Sequence, residues 1–337
     1  MADLTTTYMG LGLRNPVVAS AGPLSQTVDS IRQLADGGVG AVVMYSLLEE
    51  QLRREEARME ELAELHDDTF AEALSMFPSV VRVAEDPVQR YLTLVENAAK
   101  AIDVPLIASM NGSTLGGWTR IARQLQEAGA AGIELNIYFV PGDVTTSGDQ
   151  VERRHLEILG AVKSVVDIPV AVKLAPFFSS FGNMAVQLDN VGADALVLFN
   201  RFLQPDINVD RMQVEAGVTL SAPNEARLPR TWIAALRGKL SASLAATTGV
   251  DQPEDVIKYI LAGADVVMTT SALVRRGPAY ARTLVDGLGE WLDAHGLALD
   301  QARGLLGVPA EAEADAYARA GYVTALEKAR SQYGSLR

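Results

Sequence analysis

The chain has no cysteine in its 337 residues. That excludes disulfides, cysteine-ligated zinc and cysteine-held iron–sulfur clusters, so electrons passing through the protein have no internal cluster relay. Histidine is almost as scarce: His66, His155 and His295 are too scattered to suggest a metal site. No apolar run approaches the roughly 18 residues of a membrane helix, and the N-terminus lacks a basic-then-apolar leader. A cytoplasmic protein without a membrane partner is expected. Basic residues are outnumbered, 29 Lys and Arg against 42 Asp and Glu, and the net charge of −13 argues against a nucleic-acid partner.

What is present is a large apolar fraction, 48%, with 21% charged residues, the composition of a well-packed globular chain. Eight short apolar runs recur: residues 16–20 (PVVAS), 41–45 (AVVMY), 105–110 (PLIASM), 132–136 (GIELN), 169–173 (PVAVK), 195–200 (ALVLFN), 241–246 (SASLAA) and 265–269 (DVVMT). They are continuous rather than alternating, as parallel strands buried on both faces should be. Between them, residues 26–35, 86–102, 113–128, 150–166, 182–191, 228–236 and 253–262 carry apolar residues at three-to-four spacing. Several of these end at glycine, which permits a left-handed C-cap. The pattern predicts a (β/α)8 TIM barrel over residues 1–296, closed by an outer helix at 277–294. Residues 297–337, Ala-, Glu- and Lys-rich over 310–333, are expected to form a C-terminal helical extension.

Two connections are long, residues 47–86 and 201–227, and are expected to lie as loops over the C-terminal mouth. The acids and arginines of residues 49–64 read as a solvated helix face. Ser75, Met76, Phe77 and Pro78 in the first excursion have the apolar character suited to a planar ligand.

Functional side chains of such a barrel sit at the C-terminal ends of its strands. Here those positions are polar: Ser20, Tyr45 and Ser46, Asn111, Asn136, Lys173 and Asn200. Asparagine offers both a donor and an acceptor, and three of them at one mouth suit an amide-rich heterocycle, although capping is the alternative role for any one. Lys173 requires a partner for its charge, either the anionic edge of a reduced flavin or a buried carboxylate. Thr247-Thr248-Gly249-Val250 and Thr269-Thr270-Ser271, after strands seven and eight, have the hydroxyls and the close backbone approach of a phosphate site. Thr and Ser are also ordinary helix caps.

Together these segments resemble the dihydroorotate dehydrogenase family from about Leu4 to Leu288. Leu13-Arg14-Asn15-Pro16 with Ala19-Ser20-Ala21-Gly22 is similar to the family's opening element. Asn111-Gly112, Glu134-Leu135-Asn136, Val172-Lys173-Leu174-Ala175-Pro176 and Asn200 match its strand ends, and Thr248-Gly249-Val250 with Thr269-Thr270-Ser271 its phosphate elements. The resemblance implies bound FMN held by Ala19, Ser20, Ser46, Asn111, Asn136, Lys173, Thr248, Gly249, Thr269, Thr270 and Ser271. It also implies hydride transfer through flavin N5 to or from a CH–CH or C=C bond. Asn136 and Asn200, with Ser75 and Met76, are the implied substrate contacts. In that family dihydroorotate is oxidised to orotate in pyrimidine biosynthesis.

The departures lie on the substrate side. The family's lysine after strand two is Tyr45 here, and the proton-accepting cysteine of its soluble class is missing from GIELNIYFVPG, where Tyr138 and Phe139 stand. Tyr138, Tyr45 and Lys173 are the catalytic candidates, with Thr145, Thr146 and Ser147 nearby. A phenol ionising near pH 10 is a poor base and an adequate acid, which favours reduction of an activated double bond, so a pyrimidine or another planar enone is the expected substrate. A homo-oligomer and a redox partner protein are expected. The alternative is a flavin- or phosphate-ligand-binding barrel without dihydroorotate activity, acting as a subunit of a redox assembly. An unrelated phosphosugar barrel would leave Asn136 and Lys173 without a role.

Overall fold

The structure is a computed structural model and describes residues 2–51, 87–112, 117–138, 142–201, 205–215, 217–309, 311–312 and 314–334. Its centre is a closed barrel of eight parallel strands. These are β3 (Val17–Ala19), β4 (Ala41–Leu48), β5 (Leu106–Asn111), β6 (Gly132–Asn136), β7 (Val170–Leu174), β8 (Ala195–Leu198), β11 (Ser243–Ala246) and β12 (Val266–Thr269), and β12 closes on β3. Every strand contains one of the expected apolar runs. Around them run α1 (Val28–Asp36), α2 (Pro87–Ala101), α3 (Trp118–Glu127), α4 (Gly148–Lys163), α5 (Phe181–Val191), α6 (Arg227–Leu236) and α7 (Pro253–Ala262). After β12 come the short α8 (Ser271–Arg276), then α9 (Tyr280–His295), α10 (Leu299–Ala302) and α11 (Ala314–Tyr333). Among the described residues no helix is long and apolar enough to cross a membrane.

Strand alternation divides the core in two. Val17, Val42, Met44, Leu106, Ala108, Ile133, Leu135, Val170 and Val172 face the helices. Val18, Ala41, Val43, Ile107, Ala171, Ala195, Val197, Ala245, Val266 and Met268 fill the interior. Many of the inner residues are small, and the space is completed from below by an unanticipated hairpin, β1 (Thr6–Tyr8) paired with β2 (Leu11–Leu13). Its two-residue turn holds Met9 at φ 53° and Gly10 at φ 76°, the signs of a type I′ turn, whose twist matches paired strands. Tyr8, Met9 and Leu13 thereby enter the barrel as a floor.

One irregularity decides which side chains reach the mouth. In the β4–β5 ladder Val43 pairs with Ile107 and Ser46 with Ser109, so Met44 and Tyr45 together stand opposite Ala108. A bulge of this kind re-aims the residues beyond it. Simple alternation from Ala41 and Val43 would turn Tyr45 inward; the bulge puts Ser46 there, its Oγ 2.8 Å from Ser109 Oγ. Tyr45 joins the helix layer, its ring edge-on to Tyr91 of α2 at 5.0 Å. The Tyr91 hydroxyl fills the gap in the ladder. It accepts the Ser109 N–H at 3.0 Å and lies 2.9 and 3.1 Å from the Tyr45 and Ser109 carbonyls. Burial pushes its ionisation far up, so it remains a donor.

The second long connection carries another small hairpin, β9 (Asp206–Asn208) with β10 (Gln213–Glu215). Residues 52–86 of the first, including Ser75 and Met76, lie outside the described residues. Glu49 at its start is buried rather than solvated.

Candidate active site

Parallel strands present every C-terminal end on one side, so residues far apart in sequence converge there. One cleft at this end is lined by Ser20 and Ala21 after β3, Lys173 of β7, Asn200 and Arg201 after β8, Ser221, Thr247 and Thr248 after β11, and Thr269, Thr270 and Ser271 at β12. Its empty space, open solvent included, is about 510 Å³.

The side of the cleft at β11, β12 and β3 is built of hydroxyls and glycine. Gly249 has φ +72°, and a Cβ there would meet Ala226 N at 2.7 Å and Ala222 O at 2.9 Å, so close backbone packing and a left-handed conformation both require glycine. Its N–H donates to Ser221 Oγ at 3.2 Å. Ser221 is itself tied to Ser271, whose Oγ lies 3.0 Å from both its backbone N and its hydroxyl. The Thr270 hydroxyl donates to Ser20 O at 2.8 Å, and the Ser20 N–H to Thr269 O at 3.1 Å. Gly22 admits Thr270: a Cβ there would lie 2.5 Å from Thr270 Cγ2. Thr248 has φ 80°, a conformation that β-branched residues rarely adopt, and its hydroxyl donates to Phe199 O at 3.1 Å.

Across the cleft the amides and the lysine form a second group. Asn111, Asn136 and Lys173 sit in register on adjacent strands, Asn111 opposite Asn136 and Asn136 opposite Lys173. Asn200 Nδ2 donates to Asn136 Oδ1 at 2.8 Å. That bond uses one donor of Asn200 and the acceptor of Asn136, so the pair keeps further donor and acceptor capacity for a ligand amide. Lys173, with 8% of its side chain exposed, has Nζ 3.3 Å from Oε1 of Glu134, which is 1% exposed. Of the two partners expected for this lysine, a carboxylate is therefore present within the protein.

The remaining sequence-predicted residues divide as follows. Ala19 is buried with its side chain in the outer layer, leaving only its backbone toward the cleft. Ser46 lies deeper, bonded to Ser109. Tyr138 follows β6 directly, its N–H on Asn136 O at 2.9 Å, while Phe139 lies outside the described residues. Tyr45 packs in the helix layer beside Tyr91, and burial raises its phenol above its ordinary value. Thr145 is engaged with Asp143, and Ser147 caps α4.

Sequence reasoning missed Ser221, Arg201 and Glu134 as parts of the site. Ser221 lies in a long connection with no strand-end rule to mark it. Arg201 is held by Glu225 at 3.0 Å and by Thr219 O. Glu134 was legible as an acid inside an otherwise apolar strand.

The sequence model of the dihydroorotate dehydrogenase family matches residues 3–292. Among curated relatives, the catalytic subunit of dihydroorotate dehydrogenase B (NAD(+)) from Thermoplasma acidophilum is 26% identical over 87% of this chain and 95% of its own length. The subunit of the same name from Methanocella arvoryzae is 27% identical over 90% and 97%. The NAD-dependent dihydropyrimidine dehydrogenase subunit PreA of Escherichia coli is 24% identical over 92% of this chain and 79% of its own.

Proposed function

Because the chain belongs to the dihydroorotate dehydrogenase family, we propose that it is an FMN-dependent oxidoreductase acting on a planar ring or enone substrate of the dihydroorotate kind. The observation that supports this reading is a cleft in which Lys173 and Asn200 face a side built of Ser20, Ser221, Thr247, Thr248, Thr269, Thr270 and Ser271, with Asn136 bonded to Asn200 behind it. The residues fit the group. Ser271, whose Oγ accepts from Ser221 and keeps its own hydrogen to donate, and the backbone of the Thr248–Gly249 and Thr270–Ser271 turns would take its phosphate, the Thr248 and Thr270 hydroxyls being engaged with Phe199 O and Ser20 O. Ser20, Asn111, Asn136 and Lys173 would hold its ring, with the ammonium favouring negative charge on the ring edge. FMN supplies hydride exchange at N5 when bound.

The protein's own part is orientation and proton handling. Asn136 and Asn200 present a donor and an acceptor to a cyclic amide, fixing one face and one rotation of the substrate. Tyr138, two residues after Asn136, is the proposed proton donor, and a positioned acid contributes roughly 10²–10⁴ in rate. Purified protein should carry flavin absorption or bind added FMN. Lack of both would sink the reading.

A second reading is supported by the absence of cysteine from GIELNIYFVPG and by relatives whose names describe subunits. In it the chain binds flavin within a redox assembly and does not oxidise dihydroorotate. Anaerobic bleaching of the flavin by dihydroorotate, set beside fumarate, NADH and quinols, separates the two: rapid reduction by dihydroorotate with turnover excludes the second.

A further inference from the structure

The barrel interior holds two buried polar atoms that no strand ladder explains. Glu134 Oε2 and the Tyr8 hydroxyl are both buried without a hydrogen-bond partner among the described residues. Glu134 faces inward from β6, two residues above Gly132, where an added Cβ would lie 2.6 Å from Met9 Cε. The floor hairpin therefore reaches β6 one pleat below Glu134. Tyr8, next to Met9 and wholly buried, belongs to the same interior cluster as Ile107 and Ala171 on the strands flanking β6. Four of the residues that fill that interior are alanines, Ala41, Ala171, Ala195 and Ala245.

Buried polar atoms are nearly always satisfied, by water where protein groups do not reach, and an internal water needs two to four polar partners and a polar niche. The geometry points to a continuous polar column through the barrel: an internal water bridges the Tyr8 hydroxyl and Glu134 Oε2, and Glu134 Oε1 positions the Lys173 ammonium at the cleft. Glu134 is thus a positioning residue acting through Lys173, and the N-terminal hairpin is part of the site's support. The charge relation runs the same way: burial first, and the Glu134 carboxylate second, push the Tyr8 phenol up, so it stays a donor to that side. The carboxylate in turn sets an opposite charge 3.3 Å from the buried Lys173 Nζ.

Two measurements on the full-length chain decide this. In a cycle of Tyr8→Phe, Glu134→Gln and the double variant, the thermal midpoint of Tyr8→Phe should fall by about 2 °C, as for loss of one net hydrogen bond. The double variant should lose less than the sum of the two. A Tyr8→Phe midpoint that is unchanged or raised, or additive losses, overturns the bridge. For the lysine, acylation by a small anhydride at pH 8 is followed at Lys173 by peptide mass spectrometry and normalised to exposed Lys100. Glu134→Gln should raise the Lys173 rate severalfold, because the amine is no longer pinned by the carboxylate 3.3 Å away, with Glu134→Asp restoring most of the protection. An unchanged rate overturns the positioning role. Protection of Lys173 by added FMN is a separate readout of the function proposed above, so either idea can fail without the other.

Discussion

The two ends of this barrel are made from the same strands and obey opposite rules. At the floor, Tyr8, Met9 and Leu13 pack against alanines, valines and Gly132, and the fit is one of volume. At the mouth, two pleats higher, β5, β6 and β7 end in Asn111, Asn136 and Lys173, and the fit is one of hydrogen bonds and charge. Packing tolerates small adjustments because side chains shift; a buried ion pair does not, because the partner left behind has nowhere to put its charge. The comparison teaches that stability at the mouth depends on pairs and at the floor on space.

The sharpest way to break that contrast is Lys173→Ala. It strands Glu134 in the barrel, and removing one partner of a buried pair costs about 3–5 kcal/mol, read by denaturant unfolding together with loss of FMN uptake. A cost near 1 kcal/mol would show that the pair does not hold the mouth. Gly249→Ala comes next. Its left-handed φ alone costs about 1–3 kcal/mol, and the backbone of Ala222 and Ala226 cannot yield. Affinity for FMN should drop with stability, measured by fluorescence titration.

Gly132→Ala tests the floor. Its Cβ would press on the flexible end of Met9, so the expected cost is about 1 kcal/mol with FMN affinity unchanged. A large loss of affinity would mean that the Met9 contact, and not only the Tyr8 hydroxyl, carries the hairpin's support of the site.

The smallest effect is a slope. His155 of α4 is buried, with Nδ1 2.8 Å from Val151 O, and burial lowers its pKa below 6.5 despite hydrogen bonds to Val151 and Ile137. The unfolded chain therefore takes up the proton first, and this contribution to stability is lost as pH falls below about 6.5. Unfolding free energy measured from pH 7.5 to 5.5 should decline less steeply in His155→Gln than in the unaltered chain. Equal slopes would remove His155 as the cause.

Much of the barrel was legible because its signal is local. Five-residue apolar runs, glycine at helix ends and polar residues where each run stops placed all eight strands and gathered Ser20, Lys173, Asn200, Thr248, Thr270 and Ser271 near one opening. The place of Tyr45 in the helix layer was not legible from its strand-end position, because it is set by the bulge opposite Ala108. The floor hairpin was missed because Thr6–Tyr8 and Leu11–Leu13 are three-residue strands, too short to show a period. Ser221 was missed because its partners, Gly249 and Ser271, are 28 and 50 residues away.

The sequence by itself determined a (β/α)8 barrel and the chemical character of its mouth, because strand burial and strand-end polarity are written in runs of neighbouring residues. Tertiary structure alone decided which of Tyr45 and Ser46 faces inward, which carboxylate meets Lys173, and which serine closes the Gly249 turn. Those outcomes depend on register between strands and on the closing of long loops, where each partner is set by the position of another chain segment rather than by its own neighbours.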